Sequence, residues 1–177
     1  NCEYICELIR KDSLDEFKNF ISEDPKKIRN NEIPKSPYET NSFLLKNSQI
    51  SLIEYSAFCG SVNIFNYLKE DLGAEEALNI MTYSVYGNNI QIWTDLYKSA
   101  SPNTFSRQYL LNKMIQAHNN VLIKEFIKNA YFDKFVIDKN NFKNNFVYFA
   151  FQSFNFELIE KVNLNRKENI VFVFLYS

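Results

Sequence analysis

Glycine and proline are scarce in this chain, with 3 Gly and 4 Pro in 177 residues. All-β folds depend on many tight turns and draw on both, so the shortage argues against that class. No charge of one sign dominates: 20 Lys and Arg stand against 21 Asp and Glu, for a net charge of -1. The basic residues are also scattered, which leaves no electrostatic case for a nucleic acid or an anionic membrane. The densest basic spot, Lys26, Lys27 and Arg29, runs into Asn30, Asn31 and Glu32 and reads as a solvated loop. No apolar run approaches the roughly 18–20 residues that span a bilayer. The nearest, "IVFVFLYS" at 170–177, is too short. Cysteine is limited to Cys2, Cys6 and Cys59. An odd count, with Cys2 and Cys6 spaced to share one helical face, indicates reduced thiols rather than a disulfide framework, and an intracellular, cytoplasmic location. The opening "NCEYICELIR" carries neither the basic nor the apolar region of a signal peptide. It also lacks an initiating Met, so the chain is expected to be processed or to be a piece of a longer protein.

Large apolar side chains, by contrast, are plentiful. Hydrophobic residues make up 46% of the chain, including 17 Phe and 11 Tyr, which fits a folded protein with an aromatic-rich core. Asn comes in pairs, at 30–31, 88–89, 119–120, 140–141 and 144–145. Asn caps helices and tolerates left-handed backbone, so these pairs read as punctuation.

One apolar pattern recurs. Beyond Gly60 the sequence runs Val62, Ile64, Phe65, Leu68; comparable sets are Ile90, Ile92, Trp93, Leu96, then Val121, Ile123, Ile127, then Phe156, Leu158, Ile159, Val162, and upstream Leu14, Phe17, Phe20. Each set follows a small or polar turn, and a second short apolar segment precedes each turn. The unit is therefore helix, turn, helix. Measured from Leu14 through Val62, Ile90 and Val121 to Phe156, the spacings are 48, 28, 31 and 35 residues. A hairpin of two helices of roughly 8–10 residues is marginal alone, and stacking such hairpins makes a continuous core.

The stretch "SLIEYSAFCGSVNIF", residues 51–65, resembles the ankyrin repeat core, T-P-L-H-x-A-x-x-x-G-x-x-x-I-V. Ser51 stands at the helix-opening Thr, Ser56 and Ala57 at the small pair, Gly60 at the turn glycine, and Ile64 and Phe65 at the apolar pair of the second helix. The longer stretch 36–68 is similar to a divergent, protist-type branch of that family. The other units depart from the consensus, with Ser84-Val85, Ile115-Gln116 and Ala150-Phe151 at the small pair and Asn88, Asn119 and Phe154 at the turn glycine. The resemblance implies an all-α fold: an ankyrin-type helix-turn-helix solenoid of about four to five degenerate repeats. It is read as a single ankyrin-repeat-like domain over 1–177, with units near 2–23, 50–70, 76–98, 106–129 and 143–162. An insertion falls at 24–49, between the first and second units, and a partial C-terminal unit at 165–177. The insertion contains Pro25, Pro34 and Pro37, and a short helix is expected near 39–46. It is expected to pack on the stack.

Catalytic constellations are missing from the sequence. His118 is the single histidine and, in the repeat alignment, matches Cys59 two units away, too far for a nucleophile pair. Zinc would need four ligands, and Cys2, Cys6, Cys59 and His118 are spread over separate units. The acidic pairs Asp15-Glu16, Glu23-Asp24, Glu70-Asp71 and Glu75-Glu76 fall at helix ends or on outer faces, where carboxyl groups stay solvated. No phosphate loop, G-x-S-x-G or H-E-x-x-H occurs. The expectation is a non-enzyme with no cofactor and no metal.

The resemblance also implies where a partner would bind, since the positions just before the turn within each unit face the concave side of an ankyrin stack. Here these are Arg10-Lys11, Phe58-Cys59, Tyr86-Gly87, Ala117-His118 and Gln152-Ser153. Aromatic and Arg residues are typical interface anchors. The candidate partner-binding residues are thus Arg10, Lys11, Phe58, Cys59, Tyr86, His118 and Gln152. The expected function is a protein-protein interaction scaffold for an unidentified protein partner, with no nucleic acid and no membrane. The alternative is a structural spacer or a self-associating module; homo-oligomer formation is not indicated by any residue.

Overall fold

The computed structural model describes residues 2–23, 32–33, 41–46, 50–71, 79–87, 89–99, 107–128 and 149–158. Among these the chain is almost wholly helical, as its amphipathic periodicity predicts. It divides into two compact units, Asn1–Ser101 and Pro102–Ser177.

The first unit holds three helical hairpins. α1 (Cys2–Lys11) and α2 (Leu14–Glu23) form the first. α4 (Leu52–Cys59) and α5 (Val62–Asn66) form the second, with α5 running on into a π-helical turn, Tyr67–Asp71. α6 (Ile80–Tyr86) and α7 (Ile90–Ser99) form the third. First helices pack against first helices: α4 touches both α1 and α6. Second helices do likewise, α5 touching both α2 and α7. The core runs through these contacts by way of Leu8, Ile9, Phe17, Ile64, Leu68, Ile80, Ile92 and Trp93, all buried.

Between the first two hairpins lie a short strand β1 (Glu32–Ile33), a short helix α3 (Ser42–Lys46) and a strand β2 (Ile50–Ser51). β1 and β2 pair antiparallel, Ile33 opposite Ile50 and Glu32 opposite Ser51. The expected short helix near 39–46 is present as α3. The two-residue sheet has no counterpart in the sequence reading, because runs this short carry no periodicity. The three insertion prolines and the partial unit at 165–177 lie outside the described residues.

α4 is enclosed over most of its length, with Leu52 through Ala57 all buried. Its start is fixed by a reciprocal capping box. Ser51 Oγ accepts from Glu54 N at 3.2 Å, and Glu54 Oε2 accepts from Ser51 N at 2.8 Å and from Ser51 Oγ at 3.0 Å. These bonds satisfy a carboxylate that is only 7% exposed. The small pair Ser56-Ala57 lets neighbouring helices approach, and Ser56 Oγ donates to Ile53 O at 2.9 Å. Ser84, the corresponding residue of α6, donates to Met81 O at 2.8 Å. Each hydroxyl is thereby satisfied inside its own helix and costs the interface nothing.

In the second unit α8 (Arg107–Gln116) pairs with α9 (Asn120–Lys128), and helical turns at 149–152 and 156–158 flank a further sharp bend. The core here includes Leu110, Leu111, Met114, Ile115, Leu122, Ile123 and Leu158.

Candidate partner-binding site

The turns set the site, and four of them are built alike. Asp12, Gly60, His118 and Phe154 have φ of 53°, 73°, 56° and 55°. Each donates its N–H three residues back, to Ile9, Ala57, Ile115 and Phe151, while the next residue donates five back, to Leu8, Ser56, Met114 and Ala150. This is the Schellman termination, in which a left-handed residue closes a helix and satisfies its last carbonyls. In two of the four the residue after it caps the following helix: Asn119 Oδ1 accepts from Leu122 N at 3.1 Å and Asn155 Oδ1 from Leu158 N at 3.4 Å. The register that results differs by one residue from the apolar alignment in the fourth hairpin. Asn120 rather than Val121 opens α9, and Val121 is 64% exposed. His118 therefore takes the place of Gly60, not of Cys59, and the buried pair there is Met114-Ile115 rather than Ile115-Gln116.

Neighbouring turns are tied to one another within each unit. Ser61 Oγ donates to Ile9 O of the preceding turn, so it makes no side-chain cap on α5. Asp12 supplies that cap from the neighbouring hairpin: its Oδ1 accepts from Ile64 N at 3.0 Å and its Oδ2 from Asn63 N at 3.1 Å and Asn63 Nδ2 at 2.9 Å. A carboxylate at a helix N-terminus is favoured both by the free N–H groups and by the dipole. Asn89 Nδ2 donates to Gly60 O at 3.5 Å, while Asn89 Oδ1 caps α7 by accepting from Gln91 N at 2.9 Å. In the second unit Asn155 Nδ2 donates to Ile115 O at 3.4 Å, and Asn155 Oδ1 accepts from Leu158 N at 3.4 Å.

This scaffold places the side chains that precede each turn. Arg10 is exposed, and its Nη1 donates to the Tyr55 hydroxyl at 2.8 Å. Tyr55 is stacked on Phe58, with ring centroids 6.3 Å apart and planes 13° apart. Phe58 in turn faces Tyr86 at 6.0 Å and 25°. Arg10, Phe58 and Tyr86 are thus joined into one row by Tyr55, which is buried and is not among the residues that the sequence singles out. Cys59 is half-buried beside it, close enough for electrostatic contact with Arg10 and Tyr55. Burial pushes the Tyr55 hydroxyl upward, and the neighbouring Cys59 and Cys6 thiols push the same way. Burial also pushes Tyr83, on the next helix, up to about 12, with the Glu54 carboxylate adding to it.

The row is half-covered by the insertion. Phe43 of α3 lies on Tyr86 at 4.2 Å and 19°, faces Phe58 at 6.3 Å and 8°, and meets Tyr83 edge-on at 5.0 Å and 69°. Phe43, Phe58 and Tyr86 all remain half-buried. Phe43 was missed as a site residue because a packing partner supplied from a long insertion leaves no periodic trace in the sequence.

Lys11 is not part of the row; its Nζ pairs with Glu7 Oε1 at 2.6 Å on the exposed side of α1. That ammonium holds the Glu7 carboxyl below the usual carboxylate range. His118 and Gln152 belong to the second unit. His118 Nε2–H donates to Ser153 O at 2.8 Å, which makes the ring a turn-to-turn tie, and Gln152 is exposed. Among the described residues no three His, Cys, Asp or Glu side chains come together as a metal site would require, and no helix is long and apolar enough to cross a membrane. Compared with protein-family models, with curated proteins and with solved structures, the chain matches none of them.

Proposed function

We propose that the chain is an ankyrin-type repeat stack that acts as a protein-binding scaffold, with the row Arg10, Tyr55, Phe58, Tyr86 as its contact surface. One observation carries this reading. Three ends of consecutive first helices contribute an exposed cation, Arg10, and two half-buried rings, Phe58 and Tyr86, linked through the buried Tyr55, where a core would bury all of them and a solvated face would hold charges. Aromatic and Arg side chains in that setting are the residues that anchor interfaces. The packing of first helices on first helices and second on second supports the repeat reading, as do the recurring left-handed turns. The reading is one of binding without catalysis. The test is capture of partners by the wild-type chain and by Phe58→Ala/Tyr86→Ala, quantified side by side. Loss of partners from the double variant supports the reading, and an unchanged set refutes it.

A second reading, self-association, is favoured by a separate observation in the second unit. Phe151, Phe154 and Phe156 are 51%, 68% and 69% exposed within six positions of one another. Apolar patches of this kind mark interaction surfaces. Sedimentation over a concentration range decides it: a mass that grows with concentration for the wild type and not for Phe154→Ser/Phe156→Ser supports self-association, and a strict monomer removes it.

A further inference from the structure

The aromatic row is packed against by Phe43 of α3. α3 is five residues long, far below the length at which a helix stands alone in water. Asn41 starts it, its Oδ1 accepting from Phe43 N at 2.9 Å and Leu44 N at 3.4 Å. Two adjacent side chains then fix it to the stack: Leu44, only 3% exposed, and the half-buried Phe43. Leu45, next in the chain, is 45% exposed.

The setting of Phe43 differs from that of a core ring. Core phenylalanines of this protein, such as Phe17 and Phe126, are 0% and 1% exposed. Phe43 instead lies flat across Phe58 and Tyr86 with Tyr83 against its edge, while both rings beneath it stay half-open. Parallel stacking on two rings with an edge contact from a third is the geometry in which an aromatic anchor docks, since the positive edge of one ring meets the negative face of another.

We infer that the Phe58, Tyr83 and Tyr86 rings form a slot for a partner's short helical segment bearing an adjacent aromatic-leucine pair, and that α3 is the resident occupant which such a segment displaces. This rests on the binding reading given above and adds to it the chemistry of the partner and an intramolecular competitor. Phe43 and Leu44 define what fits: a flat ring on the aromatic row and a branched aliphatic side chain beside it. A partner of the same pattern competes for the slot with an occupant present at high effective concentration on the same chain. The apparent affinity of the wild-type chain is accordingly reduced by the fraction of time the slot is filled.

The test uses the peptide of residues 39–48, "ETNSFLLKNS", fluorescently labelled, as the probe, with the full chain as receptor. The expected result is that Phe43→Ala binds the peptide at least ten-fold more tightly than the wild type does. Replacing Phe43 by Ala in the peptide, or introducing Phe58→Ala/Tyr86→Ala in the receptor, should abolish that binding. Equal affinity of wild type and Phe43→Ala overturns the inference, and so does the absence of binding to Phe43→Ala up to millimolar peptide. Circular dichroism confirms that the variant is folded; if it is not, Phe43→Leu, which keeps apolar volume without the flat ring, takes its place. Partner capture separates the two levels. If Phe58→Ala/Tyr86→Ala loses partners while Phe43→Ala captures no more of them than the wild type, the row stands as a binding surface and the resident-occupant inference falls. If partners are unaffected by the double variant, the binding reading itself falls.

Discussion

The junction between the first two hairpins and the junction around Asn155 solve the same problem with different residues. In each, a turn must be tied to the carbonyl of the preceding turn, and the next helix must be capped. Ser61 is too short for both tasks. Its hydroxyl reaches Ile9 O, and the cap of α5 falls to Asp12 on the preceding turn. Asn155 has a donor and an acceptor at the end of a longer side chain. It ties to Ile115 O, caps Leu158 N and exchanges a reciprocal amide pair with Asn120, at 2.8 Å one way and 3.3 Å the other. The third junction, Gly60 to Asn89, uses an amide as Asn155 does, with Asn89 tied to Gly60 O and capping α7, and adds close backbone approach: a Cβ on Gly87 would sit 2.4 Å from Ala57 O. A charge and a missing side chain thus secure junctions in the first unit, and amides serve in both units.

Each solution predicts its own sensitivity. Gly87→Ala should give the largest effect, about 3 kcal/mol in chemical denaturation, because the new methyl meets rigid backbone rather than a side chain that can move. Gly87 has φ of -72°, so the loss would come from crowding and not from backbone strain. A near-neutral result would show that the second and third hairpins are not in close backbone contact.

Asp12→Ala comes next, at about 2 kcal/mol: roughly 1 for the lost cap and roughly 1 for placing Ala at a φ of 53°. Asp12→Asn keeps one of the two accepting oxygens and tolerates the left-handed backbone, so it should cost less than Ala but not be neutral. Equal losses would mean that the single oxygen an amide keeps does not suffice for the cap.

Asn155→Ala should cost about 1.5 kcal/mol, since a buried residue that is 1% exposed loses both its tie and its cap. Asn155→Ser sharpens the comparison directly. It copies the first junction without an Asp12 counterpart, because His118 stands at that position. Serine should therefore recover only part of the loss; full recovery would mean that one hydrogen bond suffices at this turn.

The smallest effect concerns pH. Tyr83 is neutral in the fold well beyond the usual tyrosine range, to about 12, because of burial and the Glu54 charge. A phenol whose folded pKa lies above its unfolded value of about 10 gives stability that is fully present below pH 10 and lost as pH rises toward 12. Tyr55 is shifted in the same direction. Unfolding free energy should be flat through neutral pH and fall above pH 10, and Tyr83→Phe should shallow that fall. An unchanged slope would place Tyr83 nearer to solvent than its 3% exposure indicates.

The helical hairpins were legible because apolar spacing is a local signal, and the capping box at Ser51 and Glu54 and the turn at Gly60 follow local rules. The register of α9 was not. A doubled Asn119-Asn120 offers two caps, and Val121 imitates the first buried residue of a helix while standing 64% exposed. The deciding residue was His118, whose left-handed backbone marks the true turn. Asp12 reads in the sequence only as part of a polar turn, and its service to the next hairpin depends on a contact some 50 residues away. Phe43 and Tyr55 likewise enter the site only through long-range packing, which no periodicity encodes.

The central claim is that partners meet this chain on the aromatic row. Photo-crosslinking tests it most directly, with a photoreactive phenylalanine analogue placed at position 86 in one preparation and, as a control, at the exposed Asp95 of α7 in another. The account predicts crosslinked partner from position 86 and little or none from position 95. Equal yields from both, or crosslinks from position 95 alone, would contradict it.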